Sequence, residues 1–368
     1  MKQGRTLVEL GAELDRQRKA RKDFIADTRN LEVETNGRNT VISLCIDNAM
    51  EKFMLNELSH QQIASRLQIP YRYYQKMREE YPTLLDENIN SWFMKAPERR
   101  MIRTLDGNVR AFLSDRYRRL DNLELCAAVL PIIQEMKGAD IISCDVTETH
   151  MFLKVVNKKM KAEVAVGDVV QAGMVISNSE VGLGSLKVEP LVYRLVCKNG
   201  MIVKDLAQKR YHVGKQVESE DAAYEIYSDE TLQADDKAFF MKVQDTVRCA
   251  ADEAKFMMTV GRLRESKNEF TGNDPIKTVE LLADRYILNQ NERGGILRHF
   301  IMAGDSSRYG LIQAITRASQ DMNDYGRATE LERLGGELLA TPINKMLSTP
   351  GEAGIKNVTP ILKRLEMA

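Results

Sequence analysis

Hydrophobic and polar positions divide the chain into three zones. From about Met101 to His212 short runs of β-branched residues alternate with turn signals. Met101–Leu105 and Asn108–Leu113 flank an Asp-Gly pair, the strongest short-range hairpin pattern, and Leu191–Lys198 and Met201–Lys204 flank Asn-Gly. His150–Val156 and Val169–Ser177 also read as strands, and hairpin connections make the sheet antiparallel. One helix, Asn122 to Met136, interrupts it. Beyond Glu218 apolar residues recur at helical spacing: Phe240, Val243, Val247, Ala250, Ala254 and Met257 within 229–267, then 276–288, 296–303, 309–320 and 328–339. Residues 1–96 also read as helical, with Val8, Leu10, Leu14 and Phe24 set in a basic run, Arg16, Arg18, Lys19, Arg21 and Lys22, that suits a solvated helix face.

The predicted class is therefore α+β, a central antiparallel sheet built from hairpins with a helical region before it and another after it. The expected divisions are a helical region over 1–96, a sheet region with one inserted helix over 97–215, a helical region over 216–340, and a linker and tail over 341–368, where TPINKMLSTPGEAG is rich in breakers. There is no internal repeat.

Composition removes several classes. Fifty-three Lys and Arg balance fifty-three Asp and Glu, so no global positive excess marks a nucleic-acid binder. Cys45, Cys126, Cys144, Cys197 and Cys249 form no CxxC pair and meet only four histidines, which argues against a zinc finger or a disulfide scaffold. No apolar run approaches the roughly 20 residues of a membrane helix, and the charged start from Lys2 lacks a signal-peptide core. The expectation is a cytoplasmic protein of a bacterial host, with no membrane, metal, cofactor or catalytic residue assigned.

The neutral total hides a local imbalance. Residues 95–215 hold twenty Lys and Arg against fourteen Asp and Glu, and 216–270 hold seven against thirteen. In the Asp-Gly hairpin a two-residue turn pairs Leu105 with Asn108 and Thr104 with Val109, and sets Arg103 opposite Arg110. Like charges across strands destabilise unless something negative lies between them. A carboxylate from the helical zones would serve, and so would a nucleic-acid phosphate. The phosphate alternative places single-stranded DNA on Arg100, Arg103, Arg110, Arg116, Arg118 and Arg119, with Phe112 and Tyr117 stacking on bases and Lys158, Lys159, Lys198 and Lys204 extending the track.

Two other segments carry candidate chemistry. In HQQIASRLQIPYRYYQKM, residues Ile63, Leu67, Ile69, Tyr74 and Met77 occupy the apolar positions of a helix-turn-helix and Ala64 its small one. Gln68 stands where the turn usually has Gly, and Pro70 opens the second helix. Duplex DNA would meet Arg72, Gln75, Lys76 and Arg78, within residues 60–78. The other segment gathers Asn178, Glu180, Arg194, Cys197 and Asn199, where a Glu180–Arg194 ion pair is the expected arrangement. The catalytic alternative makes Glu180 a base or Cys197 a nucleophile, with His212 approaching through folding. Asp145, Glu148, Glu163, Asp168 and Asp205 show no metal-ligand spacing, and Gly182–Gly184 is too short for a phosphate loop.

Together RLQIPYRYYQKM, LLDENINSWF, RTLDGNVRAFLSDRYRRLDN, LVYRLVCKNGM and SRYGLIQAITRASQDMNDYGRATELERLGGELL, spanning roughly 55–340, resemble an uncharacterised family of phage- and plasmid-borne proteins, a domain of unknown function. The resemblance implies a mobile genetic element and supplies no active site. In outline the arrangement is also similar to phage single-strand annealing proteins, without their sequence motifs. The resulting expectation is a non-catalytic DNA-binding protein, a homo-oligomer that holds or anneals single-stranded DNA on a basic sheet. The alternatives are a metal-dependent nucleic-acid hydrolase with carboxylates near Glu180, a duplex reader, and an interaction protein that binds a host factor.

Overall fold

Hairpins build two sheets rather than one. The computed structural model describes residues 1–37, 39–46, 49–117, 119–203, 229–250 and 252–346. They fall into two units, one from residues 12–119 and 179–184, the other from residues 1–11, 120–178 and 185–346. Helix α1, Leu7–Ala20, passes in sequence from the second unit to the first. The part of the basic run on this helix is solvated as expected, with Arg16, Arg18 and Lys19 paired to Glu13, Asp106 and Asp15, whereas Arg21 and Lys22 lie beyond the helix in a strand.

The first unit corrects the helical reading of 1–96, because four strands occupy it: β1 (Arg21–Asp27), β2 (Leu31–Asn36), β3 (Asn39–Ile46) and β4 (Ala49–Leu55). Leu31 and Val33 are buried while Glu32 and Glu34 face water, and Ile42 and Leu44 are buried with them. That is a period of two, which the charged outward positions obscure in the sequence. Three helices follow, α2 (Glu57–Arg66), α3 (Tyr71–Glu80) and α4 (Pro82–Lys95), and then β5 (Arg99–Leu105) and β6 (Asn108–Ser114). The six strands run in the order β1-β5-β6-β4-β3-β2, antiparallel except where β4 meets β6. Ile63, Tyr74, Leu85, Ile89 and Phe93 of the helices pack with Ile42, Phe53, Ile102, Val109 and Phe112 of the strands into one core.

Asp106 (φ 52°) and Gly107 (φ 77°) both lie in the left-handed region, as a two-residue hairpin turn with the strands' own twist requires. Leu105 pairs with Asn108 and Thr104 with Val109, as expected. Then the register shifts. Arg103 pairs with Ala111, and Arg110 is the extra residue of a bulge.

In the second unit α5 (Asn122–Glu135) precedes a five-stranded antiparallel sheet: β7 (Ala139–Val146), β8 (Met151–Ala165), β9 (Asp168–Asn178), β10 (Lys187–Arg194) and β11 (Asn199–Ile202). The second hairpin also departs from expectation. Asn199 and Gly200 already pair with Arg194 and Tyr193, and the turn is Leu195–Lys198, with Lys198 at φ 51°. The helices are α6 (Asp229–Cys249), α7 (Glu253–Ser266), α8 (Pro275–Tyr286), α9 (Gln290–Ala303), α10 (Arg308–Ala318), α11 (Tyr325–Ala340) and the short α12 (Ile343–Met346). Helices α6 and α7 divide the run 229–267, which the periodicity reads as one segment, and α12 falls within the expected linker and tail, of which 347–368 lie outside the described residues. The α+β class stands, with helices before and after antiparallel strands. Helix α11 lies so close on β11 that a Cβ on Gly336 would sit 1.9 Å from the Ile202 carbonyl oxygen. Glycine is required there by approach, not by conformation.

Candidate nucleic-acid interface

The opposed charges of the basic hairpin are neutralised within the chain. Arg103 is 0 % exposed. Its Nε and Nη2 each donate to Asp23 at 3.0 Å, and its Nη1 donates to the Glu180 carbonyl oxygen at 2.8 Å. Arg110, also buried, donates from Nη2 to the Glu180 carboxylate at 2.7 Å. The negative partners are therefore Asp23 of β1 and Glu180, not phosphate and not a helix. Burying a guanidinium without such a partner is strongly unfavourable. Arg103 and Arg110 are thus withdrawn from the set of phosphate contacts.

The expected stacking platform is internal as well. Phe112 is buried against Phe93, ring centroids 5.8 Å apart and planes at 11°. The half-buried Tyr117 donates its hydroxyl proton to the Ser179 carbonyl oxygen at 2.9 Å. Phe112 therefore offers no face to a base, and the Tyr117 hydroxyl is already engaged. Glu180 pairs with Arg110 rather than Arg194. Arg194 instead holds Asp168 at 2.5 and 3.0 Å, with the Tyr309 hydroxyl on the same carboxylate.

What remains open lies at the start of β5 and the end of β6. Glu98, Arg99, Arg100, Ser114, Asp115 and Arg116 line a groove of about 410 Å³. Glu98 receives Arg66 from the last turn of α2 and Arg100 Nε at 2.7 Å. Burial alone would raise the Glu98 pKa, but these two guanidinium groups outweigh it and hold the carboxyl below its usual range. Arg100 also lies over the Phe112 ring, 5.5 Å from its centroid. Arg99, Arg116 and Arg119 are exposed, Arg119 with Asp23 at 3.8 Å. Arg118 and Lys204 lie outside the described residues. Lys158, Lys159 and Lys198 are exposed on the other unit, with Lys158 paired to Asp140, so no single track of the expected residues forms within one unit.

The helix-turn-helix reading fares differently. Asn56 caps α2, its Oδ1 accepting from the Ser59 backbone N–H at 2.8 Å. The chain leaves α2 through Gln68 at φ 56°, a left-handed turn closed by Ile69 N–H to the Ala64 carbonyl oxygen at 2.9 Å. Pro70 then opens α3. Ile63, Ala64, Tyr74 and Met77 are buried and Leu67 and Ile69 half-buried. The two helices are also tied by polar contacts. Glu57 accepts from the Tyr71 hydroxyl and from Arg78 Nη1, and His60 Nδ1 shares a hydrogen bond of 2.8 Å with the Tyr74 hydroxyl. Arg72, Tyr73 and Lys76 face outward from α3. Arg78, expected as a contact, is held back on Glu57, and Gln75 is half-buried.

Burial lowers the His60 pKa from its ordinary 6.5 to about 4. Between those values the unfolded chain takes up a proton that the folded one excludes, so stability falls as pH drops from 6.5 towards 4. The loss at this site reaches about 3 kcal/mol. Urea melts of the wild type and His60→Gln across pH 7 to 4 check this: the wild type carries the steeper acid slope, and equal slopes refute it.

Residues 111–286 match the family model described as Domain of unknown function (DUF932). Over that segment the chain is similar to an uncharacterised family. The DUF932 segment runs from Ala111 in β6 to Tyr286 at the end of α8, and so contains the five-stranded sheet but not α2 and α3. No curated protein and no solved structure matches the chain. Of the residues weighed for catalysis, Glu180 and Cys197 lie within the DUF932 segment but in different units, and His212 lies outside the described residues, as do 216–228 of the acidic stretch. Among the described residues no group of three or more His, Cys, Asp or Glu gathers as a metal site, and no helix is long and apolar enough to cross a membrane.

Sequence reasoning missed two clusters. One is Asp23 with Arg103; a lone acid in RKDFIAD gives no hint of a partner eighty residues on. The other is Lys154 with Glu332, both fully buried. A single cation inside the apolar run MFLKVV is the signal that could have found it.

Proposed function

We propose that this chain is a non-catalytic DNA-binding protein that meets duplex DNA through α3. The observation that carries the reading is the left-handed turn at Gln68 between α2 and α3, with the apolar positions of a helix-turn-helix turned inward and Arg72, Tyr73 and Lys76 turned out. Single-strand binding on the sheet loses support, because Arg103, Arg110 and Phe112 are buried and Tyr117 is engaged. A phage- or plasmid-borne setting in a bacterial cytoplasm, and a homo-oligomer spanning two half-sites, suit a duplex reader.

Fluorescence anisotropy with labelled duplex and single-stranded oligonucleotides, at two salt concentrations, tests the reading. Duplex is expected to bind more tightly, and Arg72→Ala with Lys76→Ala to weaken it at least tenfold, in line with about 1–3 kcal/mol per contact. Preference for single strands, or duplex affinity untouched by the pair of substitutions, would refute the role of α3.

A further inference from the structure

We infer that β1 is a docking edge for a second copy of this chain, pairing antiparallel with its own counterpart about a two-fold axis at Phe24. The six-stranded sheet ends in β2 on one side and β1 on the other. The β2 edge is covered by α4. Asn90 bonds both the N–H and the carbonyl oxygen of Val33, at 2.8 and 2.9 Å, and Asp86 accepts from the Thr35 N–H at 2.8 Å. The β1 edge has no such cover among the described residues. Thr28 N–H donates to the Glu98 carbonyl oxygen at 2.9 Å, and the Lys22 carbonyl oxygen accepts from Thr104 Oγ1 at 2.9 Å. Even-numbered residues thus turn their backbone groups to β5, and Asp23, Ile25 and Asp27 turn theirs outward. No described group bonds those outward amides and carbonyls, and the Ile25 side chain is 51 % exposed. The strand also lacks the proline or bulge that blunts many edges.

What guards this edge is charge, and charge selects the partner. A two-fold axis normal to the sheet keeps the same face up on both copies, so it pairs residues of like parity. Centred on Phe24, the pairing engages all seven residues of β1. Asp23 then meets Ile25 of the second copy, Lys22 meets Ala26, and Asp27 meets Arg21, so no like charges are opposed. Moving the centre to Asp23 sets that acid against its own copy, and moving it to Ile25 sets Asp23 against Asp27; both are destabilising. The choice follows from the acids alone, since Asp27 already holds Arg29. Asp23 and Ile25 complete about four ladder hydrogen bonds, two in each pair. Phe24 meets its own copy at the closer, non-hydrogen-bonded spacing, where an aromatic pair is favourable. Phe24 and Ala26 face the core that α2, α3 and α4 share with the sheet, so the axis sets the helices of both copies on one face. That arrangement suits two half-sites, yet the pairing does not rest on the DNA-binding reading.

Sedimentation velocity of the full-length chain without DNA, over a range of micromolar concentrations, tests the interface. The wild type is expected to sediment as a dimer. Ile25→Pro removes an outward N–H and leaves the bonds to β5 in place, a change that edge strands tolerate. It should keep the wild-type melt and raise the dimer Kd by about tenfold or more, one ladder bond being lost from each copy. Lys22→Cys with Ala26→Cys reads the register. These positions face each other across the axis at a Cα spacing of about 4.5 Å, which a disulfide accepts. Mild oxidation should therefore link two chains, with the wild type and its own cysteines as the blank. If Ile25→Pro loses its melt, the cross-link alone decides. A monomeric wild type, a folded Ile25→Pro that dimerises as before, or no cross-link above the blank each overturn the interface. Duplex binding is measured separately, so a monomer that still binds duplex through α3 overturns the interface alone, and failure of the α3 reading leaves the dimer standing.

Discussion

Lys154→Met is expected to destabilise the second unit by about 3–5 kcal/mol, the usual penalty for removing one partner of a buried ion pair. Lys154 and Glu332 are each 0 % exposed, and Nζ donates to Glu332 Oε2 at 2.7 Å. The ammonium also lies 4.6 Å from the centroid of the Tyr325 ring. Burial lowers the Lys154 pKa, with Glu332 working against that shift. Among the described residues the other carboxylate oxygen of Glu332 meets no hydrogen-bond donor, so removing the lysine strands a carboxylate that is already short of one contact. Urea melts at pH 7 read the effect. Lys154→Met combined with Glu332→Leu should recover most of the loss, since two apolar side chains remove the unpaired charge. If the double variant is as unstable as the single one, the pair matters for its packing and not for its charge.

Arg103→Glu with Arg110→Glu is expected to unfold the first unit outright. These substitutions set two carboxylates against Asp23 and Glu180, where two guanidinium groups now lie between β1, the hairpin and the 179–184 segment. Each broken pair is worth about 3–5 kcal/mol, and the repulsion adds to it. Since whole domains are stable by about 5–15 kcal/mol, little or nothing remains. Circular dichroism and limited proteolysis decide the matter, and a variant with a wild-type melt refutes the ion-pair account.

Legibility followed sequence distance. The Asp106-Gly107 turn and its first two pairs were readable because the turn dictates them locally, and the burial of Ile63, Ala64, Tyr74 and Met77 on two successive helices because their spacing falls within eighteen residues. The bulge at Arg110 was not readable. It depends on where Asp23 and Glu180 arrive, and those positions are set by the completed sheet. Strands β1 to β4 escaped notice because Glu32, Glu34 and Lys52 on their outer faces, and the basic run of α1 before them, resemble a charged helix surface. The Glu98 ion pair was no more readable, since its partner Arg66 lies thirty-two residues away. Glu180 and Arg194, fourteen residues apart, suggested a pair to the eye, yet each found a partner much farther off.

The pairing of β1 with β5 shapes how the chain emerges during synthesis. Arg21 lies beside Leu105 and Asp27 beside Arg99, so the first strand made waits for one of the last in its sheet. At about 5–20 residues per second that interval lasts roughly 4–16 s. Throughout it β1 lacks its partner strand and Asp23 lacks Arg103, whereas β2, β3 and β4 pair with one another within 31–55. The strand is thus without its partner over a fixed stretch of translation, and its start carries the charges of Arg21, Lys22 and Asp23, the kind of side chain that discourages edge-to-edge association.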